Sequence, residues 1–159
     1  MSLPHSTQVT TKTVTPFQLD DLNGIDWLPD GAYMDLSSIL ARSTIWTGRV
    51  NGHVVAICGL TKLNGHTAEA WTYLHREALL YPYWLHRATK RILHNFAGAY
   101  DMLRVQAMAV DQADAACRWL EHLGFAVECL CPLMGHHGET MRRYVWFPKG
   151  ARWPIQFPR

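Results

Sequence analysis

Two groups of side chains in this sequence could take part in chemistry, and the first is a set of possible metal ligands. Cys129 and Cys131 share one face of a predicted strand, and His136 and His137 occupy the turn that follows. This spacing matches no established zinc pattern, and cysteine on a strand is a common core residue. The sequence therefore favours free, buried thiols beside a polar turn and predicts no metal site.

The second group consists of two carboxylates, Glu69 and Glu77, which lie on and just after a predicted central strand. Either carboxylate could accept a proton as a general base. Nothing nearby in the sequence marks either carboxylate as a catalytic group. The simpler interpretation is that each is a polar residue of a strand or loop.

The first half of the chain carries clear start and turn signals. Thr15-Pro16-Phe17-Gln18 resembles a capping box and predicts a short helix to Leu22, and Asp30 is expected to cap a second helix over about Tyr33–Ala41. Asn51-Gly52 suits a type I′ hairpin turn, and Asn64-Gly65 provides a second turn. These turns predict an antiparallel meander with the strands Ile45–Val50, His53–Leu60 and Thr67–Leu74.

The second half alternates helices and strands. A helix over Pro82 to about Ala97 has apolar residues at helical spacing, and its basic residues Arg87, Lys90 and Arg91 are interpreted as a solvated face. A second helix has an Asp at its N-cap and an apolar stripe that ends before Gly124. The predicted strands here are Leu103–Val110, Ala126–Leu133 and Thr140–Phe147. The order ααβββαβαββ predicts an α/β (α+β) fold around one mixed, central twisted sheet.

Length and composition indicate one domain of ordinary size, because the chain has 159 residues with 48% hydrophobic content. We expect this domain to cover 1–148. A net charge of +2 is too mild to indicate nucleic acid, and no apolar run is long enough for a membrane span. The first residues have no signal-peptide pattern, so the protein is expected to be cytoplasmic at synthesis.

The last segment, 149–159, is expected to be an extended tail because prolines exclude a long helix. Trp153, Ile155 and Phe157 recur with a period of two, so one edge of the tail is apolar. Such an edge should be buried against a surface. We expect it to bind a protein partner or a second copy of the chain.

The strand-helix-strand unit that closes in Leu123-Gly124-Phe125 resembles the C-terminal half of the GNAT family of N-acetyltransferases, and the order of elements matches over about Thr13–Phe147. The resemblance implies that the pantetheine of acetyl-CoA pairs with a splayed strand and that a glycine-rich loop wraps its pyrophosphate at the next helix. It would make Glu69 or Glu77 the base that deprotonates an amine. The candidate cofactor-binding positions are Tyr73, Leu74, His75, Arg76 and Arg87.

Two features depart from that family's pattern. No glycine occurs between Tyr73 and Leu85, where Pro82 lacks an N–H and the bulky Tyr83 and Trp84 are expected to fill the cleft between the splayed strands. In addition, Leu120 occupies the position at which many family members carry a catalytic tyrosine, and leucine cannot protonate a leaving thiolate. The first departure predicts that coenzyme A binds weakly or not at all, and the two together indicate that acetyl transfer is lost.

The segment from Arg91 to Phe147 also resembles, in length and element order, the small GNAT-like internal virion proteins of short-tailed bacteriophages. This resemblance implies a structural or interaction protein on a degenerate GNAT fold, without a cofactor, that serves in virion assembly or genome delivery. Its partners would be virion components, and it would be packaged in the phage particle. The alternative is an acetyl-CoA-dependent N-acetyltransferase with an unconventional cofactor loop. The sequence favours the structural interpretation.

Overall fold

The computed structural model describes residues 9–23, 25–28 and 38–150 of the chain. Seven strands within these residues form one sheet, and two α-helices pack on it. The strands are β1 Lys12–Pro16, β2 Ser43–Val50, β3 His53–Lys62, β4 Thr67–Leu74, β5 Arg104–Val110, β6 Ala126–Cys131 and β7 Met141–Trp146. The helices are α1 Pro82–Ala99 and α2 Asp114–Leu123. The predicted fold class, α/β with one mixed sheet, is confirmed.

The strand order across the sheet is β1-β2-β3-β4-β5-β7-β6. All neighbouring strands are antiparallel except β4 and β5, which run parallel. The parallel ladder pairs Thr67 with Arg104 and ends where Ala70 pairs with Ala107. Both strands continue past this point without pairing with each other. The sheet therefore splits between β4 and β5.

The two predicted turns of the meander are confirmed. Asn51 and Gly52 have φ angles of 49° and 85°, the left-handed values that a type I′ turn requires at both positions. In the next turn, the side-chain carbonyl of Asn64 accepts hydrogen bonds from the backbone N–H groups of His66 and Thr67, each 2.9 Å long. Local turn chemistry thus sets the register of β2, β3 and β4.

Both helices pack on the same face of the sheet. Leu93 and Phe96 of α1 and Leu123 of α2 are buried against residues of β5 such as Val105. Residues between β1 and β2, including Trp27, pack on the opposite face. Burial of each large apolar side chain contributes roughly 1.5–3 kcal/mol to folding.

The helix predicted from Thr15 to Leu22 is wrong, because the chain forms strand β1 up to Pro16 and then a 3-10 turn over Leu19–Leu22. The β-branched run before Pro16 favours a strand, and proline is tolerated on an edge strand. The capping box lies three residues later than predicted, with Gln18 at the N-cap and Asp21 at its third position. Buried Asp21 also accepts a hydrogen bond from Thr47 and pairs with Arg49.

The other predicted elements differ in smaller ways. Most of the second predicted helix, Tyr33–Ala41, lies outside the described residues, and its end forms a 3-10 turn over Leu40–Arg42. The N-cap of α2 is Ala113 rather than an aspartate, and Gly124 closes the helix with a φ of 100°. The tail residues Trp153, Ile155 and Phe157 lie outside the described residues. No helix in the described ranges is long and apolar enough to cross a membrane.

Candidate functional site

The candidate site is a cavity of about 520 Å³ at the place where β4 and β5 separate. Trp71 of β4 and Met108 of β5 form two of its walls. Helices α1 and α2 close it on one side with Ile92, Trp119 and Leu120. The lining is mostly apolar, so the cavity can hold an extended, largely apolar chain and exclude water from it.

The backbone beside the cavity offers free hydrogen-bonding groups. After Ala70, the edge of β4 that faces β5 pairs with no strand of the described residues as far as Leu74. The matching edge of β5 is free of β4 over Met108–Val110. Such an edge can pair with the amide groups of an extended ligand in the way that a further strand would.

Glu69 lies at the closed end of the split. It pairs with Thr61 of β3 and with Gln106 of β5, one residue before the parallel ladder ends, and it lines the cavity. Among the described residues, none of the ion pairs or side-chain hydrogen bonds involves the Glu69 carboxylate. This carboxylate is thus available to accept a proton from a molecule bound at the end of the cavity.

Aromatic residues of β4 shape the wall next to Glu69. The indole ring of Trp71 lies on Gly59 of β3, and its Nε1–H donates a hydrogen bond of 2.9 Å to Thr61. The ring of Tyr73 lies 5.8 Å from that of Trp71 and also lines the cavity. The sequence did not single out Trp71 as a wall residue, because its place depends on the register between β3 and β4.

Two other residues of the lining limit the chemistry of the site. Leu120, at the position of the expected tyrosine, lines the cavity and cannot donate a proton. Burial raises the pKa of the Cys58 thiol to about 12, so this thiol stays protonated at neutral pH. Cys58 is therefore a neutral part of the wall and not a nucleophile.

The expectation that Tyr83 and Trp84 fill the cleft is wrong. Tyr83 is 82% exposed, and Trp84 packs on the sheet at the beginning of α1, against Val50 and Val55 and outside the lining of the cavity. An α-helix turns by about 100° per residue, so Tyr83 points away from the face that buries Leu85, whereas Trp84 lies one turn before Ala88 and faces β2 and β3. The cleft is open where the sequence suggested a plug.

The remaining candidate residues lie in different places. Leu74 packs beside Trp84, and His75 and Glu77 line a separate polar pocket on the other face of the sheet. Arg76 is exposed on the 3-10 turn Arg76–Leu80. Arg87 lines a basic groove at the beginning of α1. Of all the candidate residues, the cavity thus brings together only Glu69 and Tyr73.

The cysteines are free thiols in the structure, as expected, but they are not all buried. Cys117 is buried, whereas Cys129 is exposed and Cys131 is half-buried. Within the described part of the chain, no group of three or more His, Cys, Asp or Glu side chains could hold a metal ion.

Comparisons with known proteins match the chain by structure alone. No protein-family model matches its sequence, and no curated protein matches it either. Among solved structures, Ard1 from Thermoplasma volcanium has a TM-score of 0.72 at 15% identity, covering 86% of this chain and 97% of that chain. The ribosomal-protein-S18-alanine N-acetyltransferase from Escherichia coli has a TM-score of 0.71 at 15% identity, covering 92% and 100%.

A third match is a GNAT family acetyltransferase from Elizabethkingia anophelis with acetyl-CoA bound, with a TM-score of 0.67 at 11% identity, covering 86% of this chain and 97% of that chain. Because these neighbours are acetyltransferases, they overturn the interpretation of the chain as a degenerate phage structural protein without a cofactor. The open cleft removes the structural argument for that interpretation. At these low identities the likeness shows the fold, and the fold is that of the GNAT acetyltransferases.

Proposed function

We propose that this protein is an acetyl-CoA-dependent N-acetyltransferase with Glu69 as its general base. The observation that carries the proposal is the apolar cavity at the split between β4 and β5, with an unpartnered carboxylate at its closed end. The structural neighbours support the same activity, since one of them holds acetyl-CoA.

The residues present fit acetyl-CoA in three respects. The cavity has room and an apolar lining for the pantetheine arm, and the free edge of β4 from Trp71 to Leu74 can pair with its amide groups. The first turn of α1 has unpaired N–H groups at Tyr83 and Trp84, ahead of the Leu85 N–H that donates to the Tyr81 carbonyl at 3.0 Å. These donors and the helix dipole favour phosphate without a glycine-rich loop.

The basic groove at the beginning of α1 adds positive charge near that helix end. Lys12, Arg87 and Arg91 line it, together with Tyr81 and Trp84. The ammonium of Lys12 lies over the ring of Tyr81, 4.9 Å from its centroid. A groove with this charge favours the phosphates of a coenzyme over a neutral ligand.

In the proposed mechanism, acetyl-CoA supplies an acyl group activated as a thioester. Glu69 takes a proton from the ammonium form of the acceptor, and the free amine nitrogen then forms a bond to the acyl carbon while the carbon–sulfur bond breaks. The second proton that this nitrogen loses on becoming an amide balances the proton that the departing sulfur gains. Leu120 cannot protonate the departing sulfur, so we assign that proton transfer to the phenol of Tyr73 or to water. The apolar walls around Trp71 and Ile92 keep water from hydrolysing the thioester.

The direct test is turnover. Purified protein is incubated with acetyl-CoA and a panel of primary amines, namely polyamines, free amino acids and short peptides with a free N-terminus, and the released thiol is measured. We expect at least one amine class to release thiol well above the rate without an acceptor. If the protein binds acetyl-CoA but no amine raises the rate of thiol release, transfer of the acetyl group to an amine would be contradicted.

A further inference from the structure

Two thiols lie side by side on the edge strand β6. Cys129 and Cys131 are two residues apart, so their side chains share one face of the strand, and their sulfur atoms are 3.8 Å apart. Cys129 is exposed and Cys131 is half-buried. Among the described strands β6 pairs with β7 alone, because it is the last strand of the sheet. Small molecules can therefore reach this pair of thiols from solvent.

The two sulfurs can be bridged only if β6 bends locally, because the β-carbons of side chains on one face of an extended strand are about as far apart as the α-carbons, whereas a disulfide holds them about 3.5–4.5 Å apart. The irregular register next to Cys129 favours such a bend in this edge strand. Alternate residues of a strand have α-carbons about 6.6 Å apart, and bridged cysteines have α-carbons about 4.4–6.8 Å apart. The pair thus lies within the permitted range but near its upper end. A bridge here would be strained, and strained disulfides are reduced easily. This geometry fits a bond that opens and closes better than a permanent structural disulfide.

We propose that Cys129 and Cys131 form a reversible dithiol–disulfide site whose oxidants are low-molecular-weight disulfides of the glutathione class. The inference does not depend on the proposed acetyltransferase activity. It assigns a role to the pair of thiols that the cavity does not use.

The chemistry proceeds in two exchange steps. The thiolate of one cysteine attacks a sulfur of oxidised glutathione, which forms a mixed disulfide and releases one glutathione thiol. The second cysteine then attacks the protein sulfur of the mixed disulfide, which forms the Cys129–Cys131 bond and releases a second glutathione thiol. Two protein thiols are oxidised, one glutathione disulfide is reduced, and the two protein protons end on the released glutathione.

The groups around Cys129 shift the pKa of its thiol in opposite directions. Desolvation and the shared hydrogen bond with Cys131 raise the pKa of Cys129, and the negative charge of Glu128 adds to this effect. The guanidinium of Arg143, which lies opposite Cys129 on β7, favours the thiolate. The net direction is upward, so the Cys129 thiol is mostly protonated at neutral pH. Formation of the disulfide should therefore accelerate as the pH rises toward the raised pKa of Cys129.

The site lies close to the proposed cavity. Cys131 pairs across the ladder with Met141 of β7, and the Met141 side chain lines the cavity. The dithiol and the cavity thus lie on neighbouring strands.

The test uses the reduced full-length protein, freed of reductant and incubated with oxidised glutathione, with the product measured by intact mass spectrometry after acid quench. We expect the wild type to lose two hydrogen atoms and to keep no glutathione. Cys129→Ser and Cys131→Ser lack the second thiol, so each should keep one glutathione adduct instead. Peptide mapping should place the new bond within the single segment that contains both cysteines.

Two further measurements keep the test decisive. Cys117→Ser removes a buried thiol elsewhere in the protein, and this variant should form the Cys129–Cys131 disulfide like the wild type. Phenylarsine oxide, which needs two adjacent thiols, should bind the wild type and neither single variant of the pair. A wild type that keeps glutathione adducts, or single variants that still lose two hydrogen atoms, would overturn the proposal.

Discussion

The indole ring of Trp71 lies directly on the α-carbon of Gly59, its partner across the ladder between β3 and β4. A β-carbon at Gly59 would overlap the ring. The hydrogen bond from the indole N–H to Thr61 holds the ring in this place at 2.9 Å. The absence of a side chain at Gly59 therefore positions one wall of the cavity.

Gly59→Ala should move the indole ring away from its position on β3. We expect the fold to lose about 1–3 kcal/mol of unfolding free energy from overpacking, together with weaker acetyl-CoA binding. Urea unfolding and calorimetry measure the two effects. The matched control is Gly65→Ala, because a β-carbon at Gly65 would meet nothing within 4 Å. Equal stability of the two variants would show that Trp71 does not depend on Gly59.

Glu69→Gln should abolish most of the turnover and leave acetyl-CoA binding intact. General-base catalysis contributes about 10²–10⁴-fold, so kcat should fall by that factor while the acetyl-CoA affinity changes by less than about twofold. Glu77→Gln is the control, since Glu77 lies in a different pocket. A Glu69→Gln variant with wild-type kcat would remove Glu69 from the mechanism.

Tyr83→Ala and Trp84→Ala should have different effects, because only Trp84 is packed. Tyr83 is 82% exposed, so its removal should change stability by less than about 0.5 kcal/mol. Trp84 packs in the cluster of Val50 and Val55, and its loss should cost about 2–3 kcal/mol. Thermal unfolding measures both variants. Neither substitution should open a larger cavity for acetyl-CoA, and a gain in affinity in either variant would show that these rings obstruct it.

The ion pair between Arg104 and Glu128 should make the free energy of unfolding depend on pH in the acid range. Arg104 donates hydrogen bonds of 2.8 and 2.6 Å to the two carboxylate oxygens and lowers the pKa of Glu128 below its ordinary 4.5. A carboxyl group whose pKa is lower in the folded than in the unfolded protein stabilises the fold. This stabilisation is complete at pH values above the unfolded-state pKa and is lost as the pH falls through the folded-state pKa.

Arg104→Gln should therefore cost about 1 kcal/mol near neutral pH. The difference from the wild type should shrink between about pH 6 and about pH 3, as Glu128 becomes protonated. Urea unfolding across this range checks the sign. A difference that stays constant with pH would show that the Glu128 carboxylate is not the partner that matters.

Local signals in the sequence were sufficient for the meander and for the helices α1 and α2, but not for the helix predicted from Thr15 to Leu22. Asn51-Gly52 can only make its turn with both residues in the left-handed region, and the structure has them there. The apolar spacing in α1 also indicates which side chains of this helix face solvent. A helix that buries Leu85, Ala88 and Phe96 must turn Tyr83 outward, so the open cleft could have been predicted from that stripe.

Features that depend on contacts between distant residues could not be predicted in this way. The split of the sheet depends on the parallel ladder ending at Ala70 and Ala107, and no local pattern marks that position. The contact of Trp71 with Gly59 likewise depends on strand register. The strand β1 was missed because Thr15-Pro16 serves equally as a helix start and as the end of an edge strand.

Calorimetric titration of acetyl-CoA tests the central claim most directly, namely that the cavity between β4 and β5 binds the coenzyme. Two neighbouring residues of α2 provide a matched pair of variants, because both are exposed but only Ala116 lines the cavity, whereas Ala115 does not. We predict saturable binding by the wild type and by Ala115→Trp at about micromolar affinity, near −8 kcal/mol, and binding at least about tenfold weaker for Ala116→Trp. No binding by the wild type, or equal binding by the two variants, would contradict the claim.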